Sequence, residues 1–435
     1  MMNKTLAFVF AVAYGLMWAF AASADPVPKA PVLCLQGKPC EAPAAAPSVP
    51  APPPAALDNT AAVSAGAVKW HPGHYEWVAA WFINDPKTMS DVKSFVDEIA
   101  NDPNVQGLGF FVWWGMLEGP TTGDYSIGFA WLDDLLSYMR THGNKKLVVM
   151  ARPTSYGYVP NPLPPVLPAY LVETSRGGTC GTGCPYGTGP YSTDGISAKV
   201  WEAATMDRWI ALTRAYGARY DNNPNLEVWG YTPESDLEQF GAGYTQQAYD
   251  AQLIRLSDVE RAAFPHTNLW HLSNWANGSQ IADFRTVVEH YASIGIGLGA
   301  HDVIPHEGSS ADQIYVGAGG QFGTTDHRMQ TPYMALLDQP DLCDEKDSKP
   351  NADAAHNYTA ADFFNYLMVT GNADLNNRAQ LVTHMLWPRH TGWACPGIVN
   401  QTWDGGPGSF KSFVDEGTHP TRTTCPTTYS SCNRN

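Results

Sequence analysis

The chain has 435 residues, which is long for one ordinary domain and short for three. It is 44% hydrophobic and 12% aromatic, with 15 Trp and 20 Tyr, and only 16% of its residues are charged, against about 25% in an average globular protein. Such a chain can bury a core, which excludes wholesale disorder. Its formal net charge of −16 repels phosphate groups, so nucleic acid and anionic membrane surfaces are poor partners and a neutral substrate fits better.

The first 24 residues have the pattern of a signal peptide. Lys4 precedes an apolar run over residues 6–22, and Ala22-Ser23-Ala24 has the small-residue form that a signal peptidase cleaves. The alternative is a membrane anchor, but the run is shorter than the roughly 20 apolar residues that a span needs, and no other stretch qualifies. Residues 1–24 are therefore predicted to be removed, leaving a secreted or periplasmic protein without a membrane span.

Residues 25–66 are mostly Ala, Pro, Val and Ser and have no periodic apolar face. Pro-rich segments favour extended structure without a packed core. This stretch is predicted to be a linker that precedes a single domain over residues 67–435.

The eight cysteines are predicted to form disulfides, because an exported chain meets an oxidising compartment. They are Cys34, Cys40, Cys180, Cys184, Cys343, Cys395, Cys425 and Cys432. Sequential pairing is favoured, since three of the four bonds would close short loops and Cys343 with Cys395 would join two late segments. Other pairings remain open, and so does zinc at Cys180 and Cys184, although a second close pair with nearby His is missing there.

From Trp70 onward, short apolar runs alternate with segments of helical periodicity, which is the pattern of βα units around a parallel sheet. The first helix is predicted to be capped by Ser90, and the second to stop at Gly143. Beyond Arg389 the chain is polar and is predicted to be a wrapped tail. Eight strands are predicted, at residues 77–83, 107–114, 146–150, 226–231, 268–272, 294–300, 333–337 and 380–387.

Eight such units predict a fold of the α/β class, a single TIM-like (β/α)8 barrel, because parallel strands buried on both faces are near-continuously apolar. The alternative is a doubly wound open sheet. That fold would ordinarily show a Gly-rich phosphate turn after an early strand, and none occurs.

The catalytic residues of such barrels lie at the C-terminal ends of the strands. Glu234 follows the fourth predicted strand and Asp338 follows the seventh, and these two carboxylates are the candidate catalytic pair. The side chains predicted to bind substrate are Trp113, Trp114, Glu118, Arg152, Asn274, Trp275, His301 and Trp387. Aromatic faces stack on sugar rings while carboxylates and amides hold hydroxyls, so this mixture predicts a carbohydrate cleft. For each Trp, packing in the core is the alternative.

One stretch resembles a known superfamily. Residues 111–120 read Phe-Val-Trp-Trp-Gly-Met-Leu-Glu-Gly-Pro, and Gly-Asp-Tyr at 123–125 and Trp-Leu-Asp at 131–133 follow. This segment resembles the second βα unit of retaining β-glycosidases of the large cellulase and β-galactosidase superfamily, in which a W-x-x-x-E-P-like turn is followed by G-x-Y-x-F and W-L-D. The resemblance is strongest over residues 107–150.

The resemblance implies a (β/α)8 barrel with an acid/base Glu after strand four, a nucleophilic Glu after strand seven and a Trp after strand eight. Glu234 and Trp387 match by position. Two departures are Pro233, where the superfamily usually has Asn, and the absence of a Glu after strand seven, where Asp338 and Asp341 stand instead. A shorter Asp could leave room for a water molecule and favour inversion, so the stereochemical outcome stays open.

The sequence therefore predicts a secreted glycoside hydrolase that needs no cofactor and acts on a polysaccharide or oligosaccharide. One alternative is a catalytically inactive barrel that only binds glycans, suggested by Pro233 and the missing second Glu. Another is a metal-dependent polysaccharide deacetylase, since residues 301–307 contain His301, Asp302, His306 and Glu307. The spacing of those histidines matches no helical metal motif. The sequence contains no Gly-x-Ser-x-Gly elbow, the motif that would indicate a serine hydrolase. The oligomeric state stays open.

Deleting residues 25–66 tests the linker assignment. A segment without periodic apolar faces contributes little to a core, so the melting temperature of the shortened protein should match that of the full chain. A fall of several degrees in a thermal unfolding experiment would show that the segment docks on the domain.

Overall fold

The computed structural model describes residues 67–78, 86–155, 166–172, 196–232, 244–272, 281–300, 333–336, 360–368, 382–389 and 409–434. The predicted signal peptide and linker lie outside these ranges. The strands are β1 (Ala67–Lys69), β2 (Gly73–Trp77), β3 (Val105–Trp113), β4 (Lys146–Arg152), β5 (Thr154–Ser155), β6 (Ile196–Ser197), β7 (Leu226–Tyr231), β8 (Asn268–Leu272), β9 (Gly297–Ala300), β10 (Tyr333–Leu336), β11 (His384–Pro388) and β12 (Ser431–Asn433). The helices are α1 (Pro86–Ile99), α2 (Trp114–Leu117), α3 (Ser126–Thr141), α4 (Ala169–Val172), α5 (Ala203–Tyr220), α6 (Gln246–Ala263), α7 (Ile281–Ser293), α8 (Ala360–Met368) and α9 (Phe410–Asp415).

Eight of these strands form a closed parallel barrel in the order β2, β3, β4, β7, β8, β9, β10, β11 and back to β2. Closure confirms the predicted barrel and excludes the open sheet. The predicted bounds of the fourth and fifth barrel strands, β7 and β8, are the observed ones.

The prediction for the first barrel strand is wrong. It placed the strand at residues 77–83, whereas β2 occupies Gly73–Trp77. The strand was missed because polar His74 and Glu76 alternate with aromatic Tyr75 and Trp77, so its sequence lacks the continuous apolar run of the other strands.

The start of the first helix also differs from the prediction. Ser90 was expected to cap it, but α1 begins at Pro86 and Ser90 lies inside the helix. Proline is favoured at the first turn of a helix, where its missing N–H costs nothing. The predicted stop of the second long helix is confirmed: α3 ends at Thr141, and Gly143 has a φ of 81°, a conformation that suits glycine.

Side chains on the inner face of the barrel form a small apolar core of their own. Because side chains alternate across a strand, every second residue points to the barrel axis. The inward side chains are Tyr75, Trp77, Phe111, Val148, Met150, Val228, Trp270, Leu272 and Leu386. Gly109 makes room for this packing, since a Cβ there would lie 2.9 Å from Val148 and 3.2 Å from Trp77. The outer faces of the strands pack against the helices in a second, larger apolar layer.

The two polar residues of β2 face that outer layer and are paired there. Glu76 forms an ion pair with Arg389, which also contacts Glu98 and lies over the ring of Phe95. His74 accepts a hydrogen bond at Nδ1 from the indole Nε1 of Trp387, 2.9 Å away. Because an indole N–H can only donate, His74 must be neutral, with its Nε2 donating to a backbone carbonyl.

Residues 409–434 pack against the barrel. The backbone N–H of Arg422 donates to the carbonyl of Val382, and the hydroxyl of Thr421 donates to the carbonyl of Thr383. At the end of the tail, β12 pairs in parallel with β1, outside the barrel. A disulfide joins Cys425 to Cys432 in this segment.

The buried histidines predict that the protein loses stability in mild acid. Burial lowers the pKa of His74 to about 4, and burial also lowers the pKa of His384. Between pH 6.5 and 4 the unfolded chain binds protons that the folded chain excludes, so the free energy of unfolding falls as the pH falls through this window. His74 alone accounts for on the order of 3 kcal/mol.

Urea unfolding at pH 7 and pH 4.5 measures this effect. His74→Asn keeps an acceptor for the Trp387 indole but cannot titrate, so its free energy of unfolding should change less between the two pH values than that of the unmodified protein. The same pH dependence in both proteins would contradict this assignment.

Candidate active site

Three side chains line the floor of the barrel at the C-terminal ends of its strands. Trp77 and Phe111 face the barrel axis, and their rings meet edge to face with centroids 4.7 Å apart. The guanidinium carbon of Arg152 lies 4.7 Å from the centroid of the Phe111 ring. An aromatic face attracts a cation, and more strongly where water is excluded. We call these three residues the mouth floor.

Arg152 brings a positive charge to the axis of the barrel. It shares the inner face of β4 with Val148 and Met150, which alternate with it along the strand. Its side chain is buried, with 4% of its surface exposed. The backbone N–H of Thr232 donates to the carbonyl of Ala151, so Arg152 lies beside the end of β7. Glu234 is two residues beyond Thr232 in the sequence and lies outside the described residues.

Trp114 and Glu118 bind each other inside the protein. The indole Nε1 of Trp114 donates to Glu118 Oε2 at 2.8 Å, and the backbone N–H of Gly123 donates to Oε1 at 2.7 Å. Both side chains are fully buried. The spacing of four residues places the two side chains one helical turn apart. This pair therefore closes the turn after β3, and its burial argues against the sugar contacts that the sequence predicts for both residues.

The same carboxylate connects the turn to two helices. Arg208 of α5 lies 3.5 Å from Glu118 Oε1, and its guanidinium lies over the ring of Tyr170 in α4. The backbone N–H of Gly115 donates to the carbonyl of Val166, just before α4. Burial raises the pKa of Tyr170, so its hydroxyl stays protonated. These contacts hold residues 166–172 against the turn that follows β3.

Trp387 also points away from the barrel axis. Its neighbour Leu386 faces inward, while the indole of Trp387 is fully buried in the outer layer and packs on Phe410 and Phe413. Its indole N–H donates a hydrogen bond to His74 Nδ1. This position serves packing, which does not favour the predicted sugar contact.

Trp113 ends β3 in register with Arg152. Its side chain is buried, and its contact with substrate stays a prediction.

The other predicted site residues lie outside the described part of the chain and stay predictions. They are Glu234, Asp338, Asn274, Trp275 and His301, together with Cys34, Cys40, Cys180, Cys184, Cys343, Cys395 and the alternative metal-binding segment at 301–307.

The sequence does not predict a buried carboxylate that lies at the opposite end of the barrel. Glu227 accepts hydrogen bonds from the backbone N–H of His71 and from Asn268 Nδ2, both at 2.8 Å, and its other oxygen lies 2.6 Å from His71 Nδ1. His384 Nε2 is 3.3 Å away. The signal for this group was present, since Glu227 is the only charged residue in the apolar run of β7.

Electrostatics keep Glu227 ionised. Complete burial by itself would raise its pKa, but the hydrogen bonds from His384 and His71 and the charge of His71 hold the pKa well below the usual range. The register of β7 against β4 is irregular at this point, between Leu147 and Val148, and such bulges redirect side chains. In barrels of this class the N-terminal end of the strands serves stability rather than chemistry.

Within the described residues, no group of three His, Cys, Asp or Glu side chains could hold a metal ion. In the same part of the chain, no helix is both long and apolar enough to cross a membrane.

No protein family model matches the sequence, and no curated protein matches it. Several solved structures resemble the fold at low identity. Endo-glycoceramidase II from Rhodococcus sp. is 13% identical with a TM-score of 0.47, covering 80% of this chain and 80% of that one. A β-glucanase from Saccharophagus degradans is 14% identical with a TM-score of 0.43, covering 81% of this chain and 87% of that one. An exo-β-1,4-mannosidase from Opitutaceae bacterium strain TAV5 is 13% identical with a TM-score of 0.44, covering 75% and 54%. All three are glycoside hydrolases by name.

The Trp114–Glu118 pair predicts that Glu118→Gln destabilises the protein. Glu118 accepts from an indole and from a backbone N–H, whereas an amide offers an oxygen to only one of them. The other donor stays buried without a partner, which costs about 1–3 kcal/mol of unfolding free energy. Denaturant unfolding measures the loss, with Glu289→Gln on the exposed face of α7 as the matched control. A Glu118→Gln protein as stable as the control would contradict the structural role.

Proposed function

We propose that the protein is an exported glycoside hydrolase that cleaves glycosidic bonds in a polysaccharide or oligosaccharide. The observation that carries the proposal is the placement of the mouth floor at the C-terminal end of a closed βα barrel, the end that bears the chemistry in this fold. The segment at 107–150 supports it through its resemblance to β-glycosidases. The net charge of −16 favours a neutral glycan over an anionic one.

Glu234 and Asp338 are proposed as the catalytic carboxylates. The described strands preceding them, β7 and β10, end at Tyr231 and Leu336, so each carboxylate comes within three residues of a strand end. Protonated Glu234 donates its proton to the glycosidic oxygen, and ionised Asp338 attacks the anomeric carbon or activates a water molecule.

The mouth floor has two roles in this proposal. The rings of Trp77 and Phe111 give an apolar base beneath the sugar. The charge of Arg152 favours the ionised form of a carboxylate that approaches it. Trp113, Asn274, Trp275 and His301 are proposed to contact the glycan around this base.

The second candidate function is glycan binding without catalysis. It is favoured by Pro233 and by Asp338 at the position where the superfamily has Glu. An aromatic base with one cation would bind a glycan equally well. Incubation with β-glucans, β-mannans and glycosylceramides separates the two functions, since a hydrolase releases new reducing ends or free ceramide and a binding protein retains intact glycan. Release of acetate from an acetylated glycan would favour the deacetylase instead.

Glu234→Gln tests the catalytic assignment. The amide keeps the shape of the side chain and removes the proton, so turnover of an unactivated glycan should fall by about 10²-fold or more, with binding retained. A substrate with a good leaving group should suffer less because it needs little protonation. Asp338→Asn should also abolish turnover.

Glu238→Gln makes the same chemical change four residues further on and is the matched control. Near-normal turnover by Glu234→Gln on a confirmed substrate would remove Glu234 from the mechanism. If turnover were lost only when Asp341, Asp302 or Glu307 is replaced by its amide, that residue and not Asp338 would be the second carboxylate.

A further inference from the structure

The disulfide between Cys425 and Cys432 closes a short loop at the N-terminal end of the barrel. We call residues 425–432 the clasp. Tyr429 of the clasp is buried, with its ring edge to face against Trp70 at a centroid distance of 6.2 Å. Gly295 leaves space for this ring, since a Cβ there would lie 2.8 Å from it. The clasp therefore seats one aromatic side chain against the base of the barrel.

Tyr429 is connected to the buried carboxylate through a single side chain. Its hydroxyl donates to Asn268 Oδ1 at 3.1 Å. Asn268 Nδ2 in turn donates to the carbonyl of Lys69 at 2.7 Å and to Glu227 Oε1 at 2.8 Å. Loss of Tyr429 from its seat would leave Asn268 without one partner and open a path for water toward Glu227.

The clasp also holds the two ends of the domain together. Cys432 lies in β12, opposite Val68 of β1. Trp70 donates its backbone N–H to Asn433 and its indole N–H to the carbonyl of Thr423, on either side of the clasp. A two-stranded sheet with three residues in each strand is marginal by itself, so it depends on the groups that anchor it.

We propose that the Cys425–Cys432 bond is an oxidation-dependent latch that completes the base of the barrel. The two thiols exchange with a disulfide donor: one sulfur–sulfur bond forms in the clasp, the donor's bond breaks, and the donor leaves as two thiols carrying both electrons and both protons. The bond restricts the unfolded clasp, which favours the seated state. The reduced chain has an open base, and oxidation closes it.

This latch acts at the end of the barrel opposite the mouth floor, so it does not depend on the proposed hydrolase activity. The bond spans only seven residues of the tail, so it acts locally, by keeping Tyr429 in its seat against Trp70 and Asn268.

The test compares two double variants of the full-length protein: Cys425→Ser with Cys432→Ser, and, as a matched control, Cys180→Ser with Cys184→Ser. The clasp variant should melt at least about 4 °C lower than the unmodified protein. Its backbone amides at residues 67–71 and 268–272 should exchange hydrogen for deuterium at least tenfold faster, with β3 unchanged. The control variant should leave exchange at both segments unchanged. A clasp variant with unaltered melting and exchange would overturn the latch.

Tyr429→Phe shows whether the latch acts through the seated ring. In the oxidised protein it should speed exchange at residues 268–272, because the bond to Asn268 is lost. In the clasp variant the same change should add little, since the ring has already left its seat. If Tyr429→Phe sped exchange equally in the oxidised protein and in the clasp variant, the latch would not act through the Tyr429 ring.

If the clasp variant fails to fold, the latch is tested by reducing the unmodified protein stepwise and measuring hydrogen–deuterium exchange at each step. Exchange at 67–71 and 268–272 should then rise before exchange in β3. Simultaneous loss of protection throughout would contradict a latch confined to the base.

Discussion

Closing a parallel barrel buries the loops that lead from each helix into the next strand, and the backbone carbonyls of these loops need donors inside the protein. Long basic side chains supply them. Each of these side chains donates to backbone carbonyls: Lys69 to those of Asp221 and Asn223, Lys145 to those of Asp102 and Val105, Lys146 to that of Pro224, and Arg261 to those of Phe264 and Thr267. Burial lowers the pKa of Lys69 to about 8, so it still carries its charge at neutral pH. The base of the barrel is thus held by buried cations bonded to backbone.

Glu227 is the matching negative charge among these cations. Its bonds to His71, Asn268 and His384 connect β7, β8 and β11 at the point where the strands begin. Breaking such a buried network leaves uncompensated polar groups, which is far more costly than never burying them. The mouth is built differently, from aromatic rings and the guanidinium of Arg152. Stability and the proposed chemistry therefore lie at opposite ends of the barrel.

The sequence predicts most of the barrel because strands such as β7 and β8 are compact apolar runs with clear ends. It does not predict β2, because His74 and Glu76 find their partners in Trp387 and Arg389, more than three hundred residues away. No local periodicity contains that information.

The candidate site was also only partly predictable from local sequence. Trp114, Glu118 and Trp387 have the residue types of a sugar cleft, but which way each points depends on the register of its strand and on distant neighbours. The sequence does identify Arg152, because it comes directly after the clear apolar run of β4. The sequence does not single out Trp77 and Phe111, because in the sequence they are indistinguishable from core aromatics.

A crystal structure of the protein with a bound oligosaccharide would show directly whether the glycan lies at the C-terminal end of the barrel. We expect a sugar ring at the C-terminal mouth, over Trp77 and Phe111 and within reach of Arg152, Glu234 and Asp338. A glycan bound elsewhere on the surface, with the mouth empty, would contradict it.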